Sequence, residues 1–275
     1  MKNNLFQEID NNKSYILGFL WADGYIRNKD KGYRIEITIK SSDFINLYNI
    51  FCKSGEWKEY HRERKSKQTG KIYKSSSIYF TCKETHTFLT NNDFNIKSSI
   101  QPTKILNKIP EEYHRDFYRG YIDGDGSFSL YCIQNGKYKT PKFNITSSLE
   151  QDWSFVTNLF DSLKINHYKI NKYERKNGKS SIIGICNKWD IIKVGEYLYN
   201  NSIDKLERKY EKYLEIRNCD IQKQLNIWTE EDVNFLIENY KSKGCVYCSE
   251  KLNRTENVIR SKICYMRKIG KLQFI

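Results

Sequence analysis

Two stretches hold the residues best suited to chemistry. Tyr15-Ile-Leu-Gly-Phe-Leu-Trp-Ala-Asp-Gly-Tyr25 is apolar and helix-like until it ends in Asp23-Gly24. Phe117-Tyr-Arg-Gly-Tyr-Ile-Asp-Gly-Asp-Gly-Ser127 has the same shape and ends in Asp125-Gly126. The carboxyl end of a helix carries partial negative charge, so an Asp there is disfavoured by roughly 0.3–1 kcal/mol. A single Asp-Gly is an ordinary turn, with Gly in its usual place past a helix end. Two in matching contexts call for positive charge that compensates both. Small residues sit four apart in each stretch, Gly18 with Ala22 and Gly120 with Gly124, and so share a helix face. Such stripes let two backbones approach closely, so the copies are expected to pack together with Asp23 and Asp125 meeting at the bottom of the seam. Two close carboxylates need a shared cation or a raised pKa. A divalent metal would serve both.

The elements around these motifs repeat. Gly18 and Gly120 lie 102 residues apart, as do Asp23 and Asp125. After Gly24 come Tyr25–Tyr33 and the alternating run Arg34–Lys40; after Gly126 come Ser127–Ile133, a turn at Asn135-Gly136 and a strand from Lys137 to Ser147. Both read as hairpins with one apolar face. Helices follow at Asp43–Cys52 and Gln151–Leu163. Next come the strands Tyr60–Lys65 and Ser77–Cys82, answered by His167–Arg175 and Ser181–Cys186. Each half closes on a helix, Thr85–Thr90 and Asp190–Tyr199. The fold class is α+β, with two antiparallel sheets in two αββαββα halves.

Composition narrows the partner. The 275 residues carry 47 Lys and Arg against 33 Asp and Glu, a net charge of +14, which argues for an anionic partner, most simply nucleic acid. No apolar run approaches the roughly 18 residues that span a bilayer, and the N-terminus lacks a signal-peptide core, so an intracellular protein is expected. The polar faces of the strands hold Arg34, Glu36, Thr38 and Lys40, then Lys142, Asn144 and Thr146, with Lys169, Asn171 and Arg175 beyond. Any one of these strands could be an ordinary solvated face; their recurrence in both halves suits strands that read a DNA major groove. The eight cysteines read as reduced, small core residues. Cys245 and Cys248 have metal-ligand spacing, yet a zinc site needs two more ligands and only Cys264 is near; two buried positions on a short helix are the alternative.

The paired signatures Ile16–Gly24 and Tyr118–Gly126 resemble those of single-chain LAGLIDADG homing endonucleases, over roughly residues 10 to 217. The first copy departs from the family with Trp21 where Asp is common, a change expected to bear on packing. The resemblance implies halves at 1–108 and 109–217 forming a DNA-binding saddle, with the metal-binding carboxylates at Asp23 and Asp125. It further implies one active-site lysine after the last helix of each half. Asn95-Ile-Lys97-Ser-Ser and Leu206-Glu-Arg-Lys209-Tyr look like those segments, giving Lys97 and Lys209; on its residues alone, Lys209 is also just one charge in the helical run Asp204–Arg217. The four histidines lie away from both motifs and read as surface or strand residues.

Residues 218–226 read as a polar linker to a module at 227–275. Thr229 caps a helix, Gly244 breaks it, a short helix covers Val246–Leu252, and Thr255 caps a third near Glu256–Ile269. Trp228-Thr-Glu-Glu-Asp, with the later basic helix, resembles a Myb-like helix-turn-helix module. Val258, Ile259, Ile263 and Met266 would face its core, leaving Asn257, Arg260, Ser261 and Arg267 for DNA; a protein-interaction role is the alternative.

The expected function is a monomeric, site-specific, double-strand DNA endonuclease using Mg²⁺ (or Mn²⁺) on a long asymmetric duplex site, free-standing, since neither end carries splice-junction residues. A non-cleaving DNA-binding regulator and an intron RNA maturase are the rivals.

Overall fold

The computed structural model describes residues 3–27, 30, 32–65, 70, 72–133, 138–175, 178–219 and 228–270. The chain divides into two compact units, Met1–Ile221 and Gln222–Ile275. No helix of the described residues is long and apolar enough to cross a membrane.

The first unit is built on two helices. Helix α1 (Asn11–Asp23) starts where the Asp10 carboxylate accepts the Lys13 amide at 2.7 Å. It buries Tyr15, Ile16, Leu17, Phe19, Leu20 and Trp21, a helix apolar on every side and covered on every side. Its counterpart α5 (His114–Asp125) is amphipathic, burying Phe117, Tyr121 and Ile122. Where they cross, a Cβ on Gly18 would overlap the Phe117 carbonyl oxygen and come within 2.9 Å of the Tyr121 nitrogen. A Cβ on Gly120 would overlap the Tyr15 carbonyl oxygen and lie 2.8 Å from the Phe19 nitrogen. Further along, Gly124 faces Ala22. The helices therefore touch backbone to backbone.

Each helix feeds an antiparallel sheet. Strands β1 (Tyr25–Ile26), β2 (Arg34–Lys40), β3 (Lys58–Lys65) and β4 (Ile72–Thr81) are ordered β1-β2-β4-β3. Strands β5 (Gly126–Ile133), β6 (Tyr138–Ser147), β7 (Tyr168–Arg175) and β8 (Gly178–Ile185) are ordered β5-β6-β8-β7. Helices α2 (Ser41–Cys52) and α3 (Lys83–Asn91) complete the first half; α6 (Ser154–Ser162), α7 (Lys188–Tyr199) and α8 (Glu207–Asn218) complete the second. A short α4 (Thr103–Leu106) precedes α5. One face of each sheet is core: Ile35, Ile37, Ile78 and Phe80, then Phe128, Phe143, Ile145, Ile183 and Ile185. The registers put equivalent rows on the other face, Tyr25–Glu36–Tyr79–Lys58 and Ser127–Asn144–Gly184–Lys169.

Several expectations are corrected. The first hairpin is lopsided: β1 has two residues, because Arg27 pairs once with Arg34 (2.8 Å) before its carbonyl turns to the buried His86 ring at 2.7 Å. His86 is thus a buried residue of α3, on neither surface nor strand, while His114 begins α5, partly exposed. Helix α6 starts at Ser154 rather than Gln151, whose side chain instead accepts from Ser147 and donates to the Ile100 and Asp152 carbonyls. Cys52, Cys132, Cys186 and Cys264 are exposed, so only part of the cysteine set is core. The turn Asn135-Gly136 and most of the linker, 220–226, fall outside the described residues; Asn218 still belongs to α8 and Cys219 is buried.

The second unit holds α9 (Glu230–Lys251), interrupted at Gly244 (φ 79°, ψ −178°), and α10 (Glu256–Lys268). A left-handed φ at Gly244 is open to Gly at little cost and divides α9 into two helical segments. Thr229 and Asp232 cap each other reciprocally. Leu236, Cys248, Ile259, Ile263 and Met266 form the core. Arg254 pairs with Asp232 at 2.8 Å and lies over the Trp228 ring at 4.1 Å. Cys248 is in this core, and Cys245 contacts the Glu256 carbonyl at 3.5 Å.

Gly120→Ala is expected to cost about 2 kcal/mol or more, because a methyl group there meets backbone that cannot yield, whereas Gly178→Ala, with nothing within 4 Å among the described residues, is near neutral. Denaturant midpoints measure both; equal midpoints for the two variants would contradict the close contact.

Candidate active site

The seam delivers the two carboxylates to one place. Asp23 is the last residue of α1 and Asp125 the last of α5. The Asp23 Oδ2 atom lies 3.7 Å from where a Gly124 Cβ would be, so this acid sits against the end of α5. Both ends expose carbonyls that no helical amide satisfies. A lysine answers each. Lys97 Nζ donates to the Trp21 carbonyl at 2.7 Å and to the Ala22 carbonyl. Lys209 Nζ donates to the Ile122 and Gly124 carbonyls at 3.2 and 2.7 Å. These are the helix-dipole cations that the acidic ends require.

Lys97 follows a short 3₁₀ turn, Phe94–Ile96, entered through Asp93 in the left-handed region (φ 66°). Lys209 stands in the first turn of α8 and is 6% exposed. Burial lowers both lysines, Lys209 to about 8, while the nearby aspartates pull them back up. Each lysine bonds its own helix end, but across the Asp23/Asp125 pair it attracts the other half's acid more strongly: Lys97 feels Asp125 ahead of Asp23, and Lys209 feels Asp23 ahead of Asp125. Four charges thus form one interlocked set.

The acids respond to the same crowding. Burial, then the Asp23 charge, pushes Asp125 up to about 7, against the pull of Lys97 and Lys209. Asp23 keeps an exposed surface, but protein packed around the rest of it raises its carboxyl as well. Two like charges in a partly dry site titrate as a pair. Among the described residues no group of three or more His, Cys, Asp or Glu could hold a metal. A two-carboxylate set suits a hard cation that keeps water or substrate oxygens for its remaining positions, as Mg²⁺ does. The pair's mutual repulsion, which such a cation relieves, is the observation that fits.

Asp123 and its partners are not among the site residues expected from the sequence. Asp123 is 1% exposed and accepts from Tyr15 Oη (2.9 Å), Tyr199 Oη (2.7 Å) and the Leu206 amide (2.8 Å). Arg119, 1% exposed, donates to the Asp204 and Leu198 carbonyls and to Asp116. Arg208 forks onto Asp43 at 2.9–3.2 Å, tying α8 to α2. Beside Asp23 a recess of about 190 Å³ is lined by Lys40, Asp43 and Arg208 among others. Asp123 was visible in the motif; its partners were hidden, being 83 to 108 residues away or, for Tyr199, 76.

The expected DNA-contact residues are dispersed. Lys40 and Lys169 are exposed, Lys142 and Asn144 half-buried on the polar face of β6. Arg34 pairs with Glu36 at 2.8 Å and stacks 3.7 Å over Tyr79. The side chain of Arg175 lies outside the described residues. In the second unit Asn257, Arg260, Ser261 and Arg267 are exposed on α10, Arg260 bonded to Glu256 at 2.7 Å.

No protein-family model matches the chain, and neither does any curated protein. Solved structures similar in chain course include the homing endonuclease I-WcaI bound to its DNA recognition sequence, at 20% identity over 73% of this chain and 85% of that one, TM-score 0.48. The I-LtrWI LAGLIDADG homing endonuclease bound to target DNA shares 14% identity over 84% and 97%, TM-score 0.47. The I-GzeII LAGLIDADG homing endonuclease in complex with its DNA target shares 16% over 95% and 98%, TM-score 0.39.

Because folding raises Asp125, the folded chain holds a proton that the unfolded chain has released between about pH 4 and about pH 7. Stability is therefore lost as pH rises through that window. Without divalent metal, Asp125→Asn is expected to match the wild type near pH 4 and to exceed it near pH 8 by on the order of 2 kcal/mol, allowing for residual solvent access. Thermal melts across pH check this; a pH-independent difference would contradict it.

Proposed function

We propose that this chain is a site-specific double-strand DNA endonuclease, with a divalent cation held between Asp23 and Asp125. The observation that carries the reading is the pairing at one seam of two like-charged carboxylates, each beside a lysine, Lys209 buried and Lys97 half-buried. The two sheets with polar rows in equivalent register, the net charge of +14 and the resemblance of both motifs to LAGLIDADG endonucleases support it.

Asp23 and Asp125 would hold Mg²⁺ or Mn²⁺, which when bound supplies charge for activating water and for a leaving oxygen. The residues themselves do the rest. Lys97 and Lys209 each spend two N–H donors on helix-end carbonyls, leaving a third of the ammonium's three for a water or phosphate oxygen. Their charge offsets the negative charge that builds on the phosphorus as water adds and the P–O bond breaks. The close set of two acids and two lysines would serve both strands of one duplex from a single monomer, with two dissimilar halves reading a long asymmetric site. Lys40, Lys142, Asn144, Lys169 and Arg175 are the proposed sheet contacts, with Arg34 held by Glu36 and Tyr79 until DNA competes. The second unit would act as a helix-turn-helix module, adding contacts through Asn257, Arg260 and Arg267.

Duplexes cut by the protein can be enriched from a randomised library with Mg²⁺. On such a duplex Asp125→Asn is expected to abolish cleavage, by at least a hundredfold, while leaving the Kd within a few-fold; retained cleavage would remove Asp125 from the reaction. Affinity should fall by roughly 0.9 log units per log of salt for each phosphate neutralised. A flat salt response in filter binding would contradict a basic DNA-binding surface.

A further inference from the structure

The two halves hold their lysines differently. The peptide units on either side of Asp123 give Lys209 its carbonyls, those of Ile122 and Gly124. The Asp123 carboxylate itself accepts the amide of Leu206, the residue that caps α8. The Lys209 amide in turn bonds the Leu206 carbonyl at 2.9 Å. Asp123 thus grips the start of α8 with its side chain while its neighbours grip the ammonium one turn along. A carboxylate at a helix N-terminus is favoured by the dipole, so the acid that burdens the end of α5 is stabilised by the start of α8. Tyr15 from α1 and Tyr199 from α7 complete its shell at 2.9 and 2.7 Å. Asp123 also acts on the Lys209 charge more strongly than any other carboxylate.

The position 102 residues earlier is Trp21, whose indole nitrogen is buried without a hydrogen-bond partner among the described residues and whose ring meets Phe94 edge-on at 6.2 Å. Among the described residues no such acid fixes the Lys97 segment, which follows a 3₁₀ turn, not the start of a long helix. Nothing in the nuclease chemistry uses Asp123 directly, because its oxygens are occupied and it is sealed from solvent.

We propose that Asp123 is a positioning residue for Lys209, locking the start of α8 onto the end of α5, and that this lock serves only one of the two strand cuts. The strand-cut part rests on the nuclease reading; the lock itself does not. In Asp123→Asn the shape is kept, but the negative charge that the start of α8 favours is lost, and the amide's one oxygen cannot replace both carboxylate oxygens toward Tyr15, Tyr199 and Leu206, so the first turn of α8 loosens.

Two measurements on the full chain test this. Hydrogen exchange of the Leu206–Tyr210 amides should speed at least tenfold in Asp123→Asn, with the amides in the middle of α1 unchanged; unchanged exchange at Leu206, or equal acceleration throughout α1, overturns the proposal. On the enriched duplex with Mg²⁺, Lys209→Met identifies the strand that depends on Lys209. Asp123→Asn should slow that strand at least tenfold, leave the other within twofold and keep the Kd, so that nicked duplex accumulates. Equal slowing of both strands, or of neither, overturns it. Should the wild type cut no duplex with any divalent ion, the nuclease reading falls, and the exchange result alone decides whether the lock exists.

Discussion

The structure depends on the backbone contact between α1 and α5. Gly18 and Gly120 let each helix rest on the other's carbonyl oxygens, with no room for even a methyl group. A contact this close fixes rotation as well as distance, so the last residue of each helix is placed relative to the other by main chain alone. Both sheets begin within two residues of those helix ends, at Tyr25 and Gly126. A shift at the seam would therefore move the acids and the first strand of each sheet together. Precision at the carboxylates is inherited from the seam, not built from their own contacts.

That geometry creates the electrostatic problem that the rest of the site answers. Two helix dipoles point their negative ends at the same spot, each bearing an Asp, in surroundings dry enough to push Asp125 up to about 7. Lys97 and Lys209 neutralise the carbonyls, but burial weakens each lysine's hold on its proton. The balance is close, and it leaves the carboxylate pair short of positive charge. In the proposed reading a divalent cation would supply that deficit.

Much of this was legible in the sequence. The repeat at a fixed spacing, the small-residue stripes and the acids past them follow from period and residue type, which are local properties. The sheets were legible for the same reason, since Ile35 and Ile37 alternate with polar neighbours. What stayed hidden depends on contacts far apart in the chain. Lys209 could be placed only through family resemblance, because nothing in Leu206–Tyr210 says that its ammonium folds back onto Gly124. The Tyr199–Asp123 bond, the Arg208–Asp43 fork and the burial of Arg119 have no local signature. The late start of α6 follows from a hydrogen bond between Gln151 and Ile100, which no propensity anticipates.

The central claim is that one divalent cation is shared by Asp23 and Asp125. Iron(II) bound in place of Mg²⁺, with ascorbate and peroxide, generates hydroxyl radicals that cut the polypeptide beside the metal, so mass spectrometry of the fragments maps its ligands directly. The account predicts chain cuts next to both Asp23 and Asp125, suppressed together by excess Mg²⁺ and lost together when either Asp is changed to Asn. Cuts at one Asp that survive loss of the other, or cuts confined elsewhere in the chain, would contradict a shared site.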